Sequence, residues 1–483
     1  MIKGQVAALV LQLFKSKIFN KWVLNTHFII FYMDTDIINL VHLIPLNKDI
    51  TLFFHTDSLQ IYPLKSNDLI CDFVRSIEQN GIEKTKLLYS VEDFHTLYDY
   101  ISNQIKTSPK TLRAKSGTDN ANLDFSSVIL PISGKCNLKC PYCFAQTDNG
   151  FQFKDYTYKD IDCVIDFLVK KNNDFNKVIN IAFFGGEPLL KFDSIKYTVQ
   201  LLKEKYPKQK VAYSITTNGT IFNDEIINFL KDNHVAILLS MDGPENEFNL
   251  RRFRNGKSSV NRVLKNINLL KENGLSVDLR ATMVSNNPYV VETFDFFENL
   301  NCPFNIVFAY FSENKSFNKT IKRDFDELKL IEEQLSKLID YYRNRMREKK
   351  RVFSKIIPNI INTLQYRIVQ ELPCSAGKSF FTITSNGDIY SCSHFMNDSS
   401  YCIGNISTGI TKYDKYVPVE VDEIEECAKC WAKYLCNGGC MSQKISMGKS
   451  ANTAKTPGEC ALEKIMWEFY IRMYYYVKEN EKA

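Results

Sequence analysis

From Val128 to about residue 310, short apolar runs alternate with longer stretches in which apolar residues recur every three or four positions. The runs SVILPIS, VINIAFF, VAYSITT, VAILLSM, SVDLRATMV and FNIVFAYF read as strands. The stretches near 157–172, 191–205, 223–233, 257–273 and 289–300 have the period of helices buried on one face. That alternation predicts βα units and a parallel sheet, an α/β fold. Six such strands fit a partial, TIM-like (β/α)6 barrel or a closed one, with the chemistry at the C-terminal strand ends.

The flanks differ. Residues 1 to about 115 hold strand-like runs (ITLFFHT, LQIYPL, TKLLYS) and helical stretches near 68–80 and 91–105, which predicts a small α+β domain. The polar segment Lys106–Leu123 is the best linker candidate, with the linker placed at 116–124. The barrel is expected over 125–345, and a charged helical stretch runs from Asp324 to Lys350. A helical bridge follows at 346–373, a cysteine-rich domain at 374–470 and a tail at 471–483. Lys15, Lys17, Lys21 and Asp34 interrupt the apolar start, so no transmembrane helix is expected there. Residues 1–32 lack an A-x-A-like cleavage site and read as an N-terminal helix. Met33 is an alternative start.

Net charge is small, 61 − 55 = +6, and the basic residues are scattered. REKKR at Arg347–Arg351 reads as a solvated helix end, so neither nucleic acid nor membrane is an expected partner. With ordinary globular composition this leaves a cytoplasmic protein, and there the 14 cysteines are no disulfide framework. Cys71, Cys163 and Cys302 lie apart among apolar residues and are expected to be small buried hydrophobes. The other eleven fall in two groups, Cys136–Cys143 and Cys374–Cys460, which suggests soft-metal ligation.

SGKCNLKCPYCFAQ, Ser133–Gln146, places Cys136, Cys140 and Cys143 on one loop after the first barrel strand. Four thiolates close a [4Fe–4S] cluster, and three leave one iron open. Zinc prefers four ligands, and no fourth lies nearby in sequence. On spacing alone, another metal or coincidence stays open.

CNLKCPYCF, including Tyr142, closely resembles the signature of the radical S-adenosylmethionine (radical SAM) superfamily, and further motifs follow in that family's order. FFGGEP, Phe183–Pro188, is similar to its methionine-binding GGEP. The resemblance implies that Gly185 and Gly186 let backbone approach the ligand, that Glu187 pairs with its ammonium and that Pro188 belongs to the same cofactor-binding motif. TTNGT, with Asn218, and LSMDGP, with Ser240, resemble the strand ends that carry ribose contacts. Arg280 in LRATM is a candidate for the ligand carboxylate. The family's chemistry would then be reductive cleavage of S-adenosylmethionine chelated at the open iron, followed by hydrogen abstraction from a substrate.

The later cysteines resemble the seven-cysteine SPASM pattern found after radical SAM barrels that modify peptides and proteins. Carried over, Cys374, Cys392 and Cys440 would hold one auxiliary [4Fe–4S] cluster, and Cys427, Cys430, Cys436 and Cys460 a second, three clusters in all. A zinc ribbon of Cys427, Cys430, Cys436 and Cys440 is the plain alternative. The first set is one ligand short; either Cys402 completes it or an iron stays open to a substrate thiolate. Sulfatase-maturing relatives place an aspartate after the cysteine equivalent to Cys392. Here Ser393 and His394 follow, and His394 could act as a base near neutral pH. The pattern implies a maturase that installs a thioether or other crosslink in a ribosomally made precursor peptide. A flavodoxin- or ferredoxin-type protein would donate electrons, and the N-terminal domain would recognise a leader or cap the barrel. Formylglycine formation on a sulfatase and a non-catalytic Fe–S or zinc scaffold are the alternatives.

Overall fold

The computed structural model describes residues 41–482 except 108–110, 115–122, 148–149, 173, 285, 310–321, 371 and 413–415. The expected N-terminal helix and most of the linker lie outside the described residues. The chain opens with strands β1 (Val41–Pro45), β2 (Ile50–His55) and β3 (Gln60–Lys65), an antiparallel sheet. Helices α1 (Leu69–Leu88) and α2 (Val91–Thr107) follow. Alternate residues of this sheet face opposite ways. Val41, Leu43 and Phe53 pack under the two helices with Phe73, Val74 and Phe94. Ile44, Leu52 and Phe54 pack against Ile360, Leu364, Tyr434, Leu435 and Ile471 from the far end of the chain. TKLLYS is not a strand: Thr85–Leu88 close α1, whose regular path breaks at Gly81 (φ 75°). Thr85 is buried with its hydroxyl 3.0 Å from that of Ser76, while Leu87 and Leu88 are exposed. Within the expected linker, β4 (Leu112–Ala114) is a short strand.

The barrel strands are β5 (Ser127–Ser133), β6 (Ile179–Gly185), β7 (Val211–Thr217), β8 (Ala236–Ser240), β9 (Val277–Met283) and β10 (Phe304–Phe308). All are parallel and each pairs with the next. The helices between them are α3 (Tyr158–Asn172), α4 (Phe192–Lys205), α5 (Asp224–Asp232), α6 (Val260–Glu272) and α7 (Val290–Asn299). In α3 the buried Ile161, Val164, Ile165, Leu168 and Val169 form one stripe at helical spacing. Its start is fixed by a reciprocal cap: Asp160 accepts from the Thr157 N–H, and Thr157 accepts from the Asp160 N–H. On the outer face of α3, Cys163 is exposed, not buried as expected, because it falls opposite the stripe; Cys71 and Cys302 are buried.

Beyond the barrel come α8 (Phe325–Arg347), α9 (Ile356–Tyr366) and β11 (Ile368–Gln370), which pairs with β4. Strands β12 (Phe380–Ile383), β13 (Asp388–Tyr390), β14 (Gly404–Asn405) and β15 (Gly409–Ile410) form antiparallel hairpins. The SNGDIYSC hairpin is therefore present as expected. β12 adds in parallel to β5, so the barrel strands and the later hairpins make one ten-stranded sheet. Phe381 on β12 is fully buried and stacks on Phe125 at 4.4 Å. Short helices α10 (Glu425–Ala428), α11 (Lys433–Cys436) and α12 (Met441–Ser446) precede the long α13 (Pro457–Lys482). The expected boundary at 470 falls inside α13, where Ile471 and Met473 are buried, so 471–482 is no separate tail. Likewise, residue 345 lies within α8. Among the described residues no helix is long and apolar enough to cross a membrane.

Candidate active site and auxiliary cysteine sets

The Cys136–Cys143 loop leaves the C-terminal end of β5 and is strapped to its surroundings by backbone. Gly186 N–H donates to Ser133 O at 2.7 Å and Glu187 N–H to Lys135 O at 2.8 Å. Gly185 has φ 131°, and a Cβ there would sit 2.5 Å from Ser133 O; one at Gly186 would overlap the Lys135 carbonyl. These glycines thus admit the cysteine loop itself. On the other side, Lys139 N–H donates to Arg252 O at 2.9 Å and Arg254 Nε to Cys136 O at 2.9 Å.

Glu187 is fully buried. Its carboxylate accepts from Leu189 N–H at 3.1 Å, Thr217 Oγ1 at 2.8 Å and Asn218 N–H at 2.7 Å. Burial pushes its pKa up to about 7 against those bonds. These bonds make Glu187 a brace between the ends of β6 and β7. Pro188 starts the following 3-10 turn. Asn218 donates through Nδ2 to Cys136 Sγ at 3.7 Å and to Asn137 at 2.8 Å. Ser240 and Arg280 are paired across β8 and β9, so their side chains share one face of the sheet.

Two residues not singled out from sequence complete this region. Asp242, just past β8, accepts from Tyr142 OH, from Arg251 Nε at 2.9 Å and from Thr282 N–H at 3.0 Å. The Asp242 side chain is fully buried and that of Arg251 is 13% exposed. The Arg251 guanidinium lies 5.6 Å from the Tyr142 ring, and its charge acts on Cys140 and Cys143. An aspartate directly after a strand end, with an arginine nine residues on, was the available signal.

Can these thiols hold a cluster? The three cysteines act on one another electrostatically. Their exposure is intermediate, but crowding by protein pushes Cys136 up to about 11 and Cys140 to about 12. Three thiols grouped beside the largely buried Arg251 cation suit the thiolate form that metal ligation imposes. The donor set therefore fits an iron–sulfur cluster.

The auxiliary cysteines separate into two neighbourhoods. Cys392 senses Cys374 and Cys440, and Cys374 senses Cys440. Cys427 senses Cys460 and Cys430, and Cys436 senses Cys460 and Cys427. Cys402 belongs to neither: its thiol donates to Gly404 O at 3.0 Å, and Asp388, Lys412 and Tyr390 are its charged and polar neighbours. Among the described residues no three Cys, His, Asp or Glu side chains close on a single ion, the arrangement a zinc ribbon requires. Buried Lys444, whose pKa burial holds down, feels the charges of Cys427, Cys436 and Cys440. Ionised, metal-bound thiolates would supply the counter-charge that this ammonium lacks.

His394 stacks on Phe144 at 3.7 Å, and Phe144 stacks in turn on Phe184, so the cysteine-rich region closes over the barrel mouth. Desolvation, then the Arg280 charge, lower the His394 pKa to about 3.

A family model described as the Radical SAM superfamily matches residues 130–297. Residues 130–297 are thus a radical SAM domain, and the chain is an enzyme. The chain is 27% identical over 350 residues to the cysteine-type anaerobic sulfatase-maturating enzyme of Clostridium perfringens, covering 68% of this chain and 91% of that one. It is 25% identical over 343 residues to the radical SAM cyclopropyl synthase TigE of Paramaledivibacter caminithermalis, 65% and 67% covered. The solved structure of histidine-tagged anSMEcpe with bound AdoMet shares the fold, with TM-score 0.62 and 22% identity over 74% of this chain and 95% of that one.

Proposed function

We propose that this radical SAM enzyme is a peptide maturase that forms a thioether or other crosslink in a ribosomally made precursor. Cys136, Cys140 and Cys143 would hold the catalytic cluster, Cys374, Cys392 and Cys440 the first auxiliary cluster, and Cys427, Cys430, Cys436 and Cys460 the second. When bound, the catalytic cluster and S-adenosylmethionine supply reductive sulfonium cleavage and a carbon-centred hydrogen abstraction. Asn218, Ser240 and Arg280 would orient the nucleoside and its methionyl carboxylate. Asp242 and Arg251 hold Tyr142 and the cysteine loop, and the Phe144–His394 stack keeps water from the barrel mouth. Solved anSMEcpe with AdoMet and a Cp18Cys peptide supports a peptide occupant by analogy. A ferredoxin- or flavodoxin-type donor and a cytoplasmic setting complete the reading.

The observation that carries it is the three-member first set with Cys402 directed elsewhere. A substrate thiolate is the soft ligand suited to a remaining open iron. Formylglycine formation is favoured by the sulfatase-maturase likeness but lacks the aspartate after Cys392, and burial lowers the basicity of the neighbouring His394. Reconstituted enzyme incubated with a cysteine-containing precursor should yield peptide lighter by a hydrogen pair, with substrate-dependent 5′-deoxyadenosine. Cys140→Ala should abolish both. Unchanged peptide mass, alongside activity on a sulfatase-derived peptide, would transfer the assignment to the second reading.

A further inference from the structure

The short helix α12 leaves Cys440 and carries three buried polar residues: Gln443, which donates to Glu459 at 3.1 Å, and Ser442 and Lys444, 4% and 2% exposed. The Ser442 hydroxyl lies 3.1 Å from Cys440 Sγ and also hydrogen-bonds Cys392. Two ligands on different corners of an iron–sulfur cube stand much farther apart than that. Ser442 is therefore placed as a donor to the thiolates and not as a missing fourth ligand. Lys444 donates through Nζ to Ala451 O, and its strongest attractions run to Cys427 and Cys436 of one set and Cys440 of the other. Its neighbour Lys455 is buried as well but is paired with Glu463 at 2.5 Å. Among the described residues no carboxylate pairs with Lys444. A desolvated ammonium needs a counter-charge, and here thiolates from both sets provide it.

We propose that Ser442 and Lys444 make α12 a redox-tuning bridge between the two auxiliary sites, holding their reduction potentials up. The inference rests on the two auxiliary clusters proposed above. One-electron reduction, by dithionite or by the physiological one-electron donor, adds one negative charge at the cluster that accepts it. A fixed cation and hydrogen bonds to sulfur both stabilise that added charge. Ser442 reaches the first set alone, whereas Lys444 lies between the sets and acts on both.

The test is a dithionite titration of the full-length reconstituted protein followed by electron paramagnetic resonance, with iron, zinc and sulfide counted per chain. Lys444→Met should move the midpoints of both auxiliary signals to more negative potential, and Lys444→Arg should restore them. Ser442→Ala should move the first auxiliary signal only, with Ser442→Thr restoring it. The signal from the Cys136 set serves as an unmoved internal reference. Midpoints that stay put with iron content intact, or a Lys444→Met shift confined to one set, overturn the bridge. If Lys444→Met loses auxiliary iron, Ser442→Ala decides, because it leaves the buried charge in place; an unmoved first midpoint then overturns the proposal. A wild-type protein with iron for one cluster plus zinc would fail at the metal count, which identifies the two-cluster reading as the error.

Discussion

At the scale of single residues, the site depends on buried charges held by fixed partners. Asp242 has no exposure and draws on Arg251, Tyr142 and the Thr282 amide. Removing one member of a buried pair leaves the other uncompensated, at a cost of about 3–5 kcal/mol. Arg251→Met should therefore lower stability by about that amount in denaturant titration, and iron bound per chain should fall because Cys140 and Cys143 lose a neighbouring cation. A variant of wild-type stability and full iron content would show that the guanidinium contributes little. The cysteines themselves were readable from spacing, since ligation constrains both residue type and separation. Ser442 and Lys444 were not, because their importance comes from burial beside sulfur and nothing local in the sequence marks it. Glu187 shows the converse. Its motif was plain, but the three internal hydrogen bonds that brace β6 and β7 through its carboxylate left no mark in the sequence.

At the scale of elements, periodicity located the barrel strands and helices to within three residues, as one buried stripe per helix and one apolar run per strand require. It failed at TKLLYS, where Leu87 and Leu88 are apolar but exposed and a kink at Gly81 disrupts the helical pattern. It was also silent on the pairing of β12 with β5, because strand partners far apart in sequence leave no periodic trace. That junction is packed: Phe381 is completely enclosed and stacked on Phe125. Phe381→Ala should cost about 3–5 kcal/mol, the usual toll for emptying such a site. Calorimetry or denaturant unfolding checks this, and a loss below about 1 kcal/mol would mean the β5–β12 seam collapses around the gap.

At the scale of the molecule, the N-terminal sheet lies between its own helices and the cysteine-rich region. His42 stacks on Trp431 at 4.0 Å and hydrogen-bonds Glu468 at 3.0 Å and Glu78 at 3.4 Å. Burial disfavours its charge, but the two glutamates outweigh burial and the pKa is raised above 6.5. A raised pKa means the folded state prefers the proton. The contribution is full below the unfolded value and fades as pH climbs through the folded one. The stability deficit of His42→Gln should thus be larger near about pH 6 than near about pH 9. An equal deficit at both would assign His42 to stacking alone.

The backbone ladder that runs without interruption from β10 through β5 to β15 also bears on how the molecule moves. A seam stitched by main-chain bonds does not work as a hinge, so the auxiliary region cannot swing clear to admit a large guest. Amide exchange across β5 and β12 should consequently slow together, as one breathing unit. Any long polypeptide must thread past loops at the rim while the scaffold beneath it stays shut.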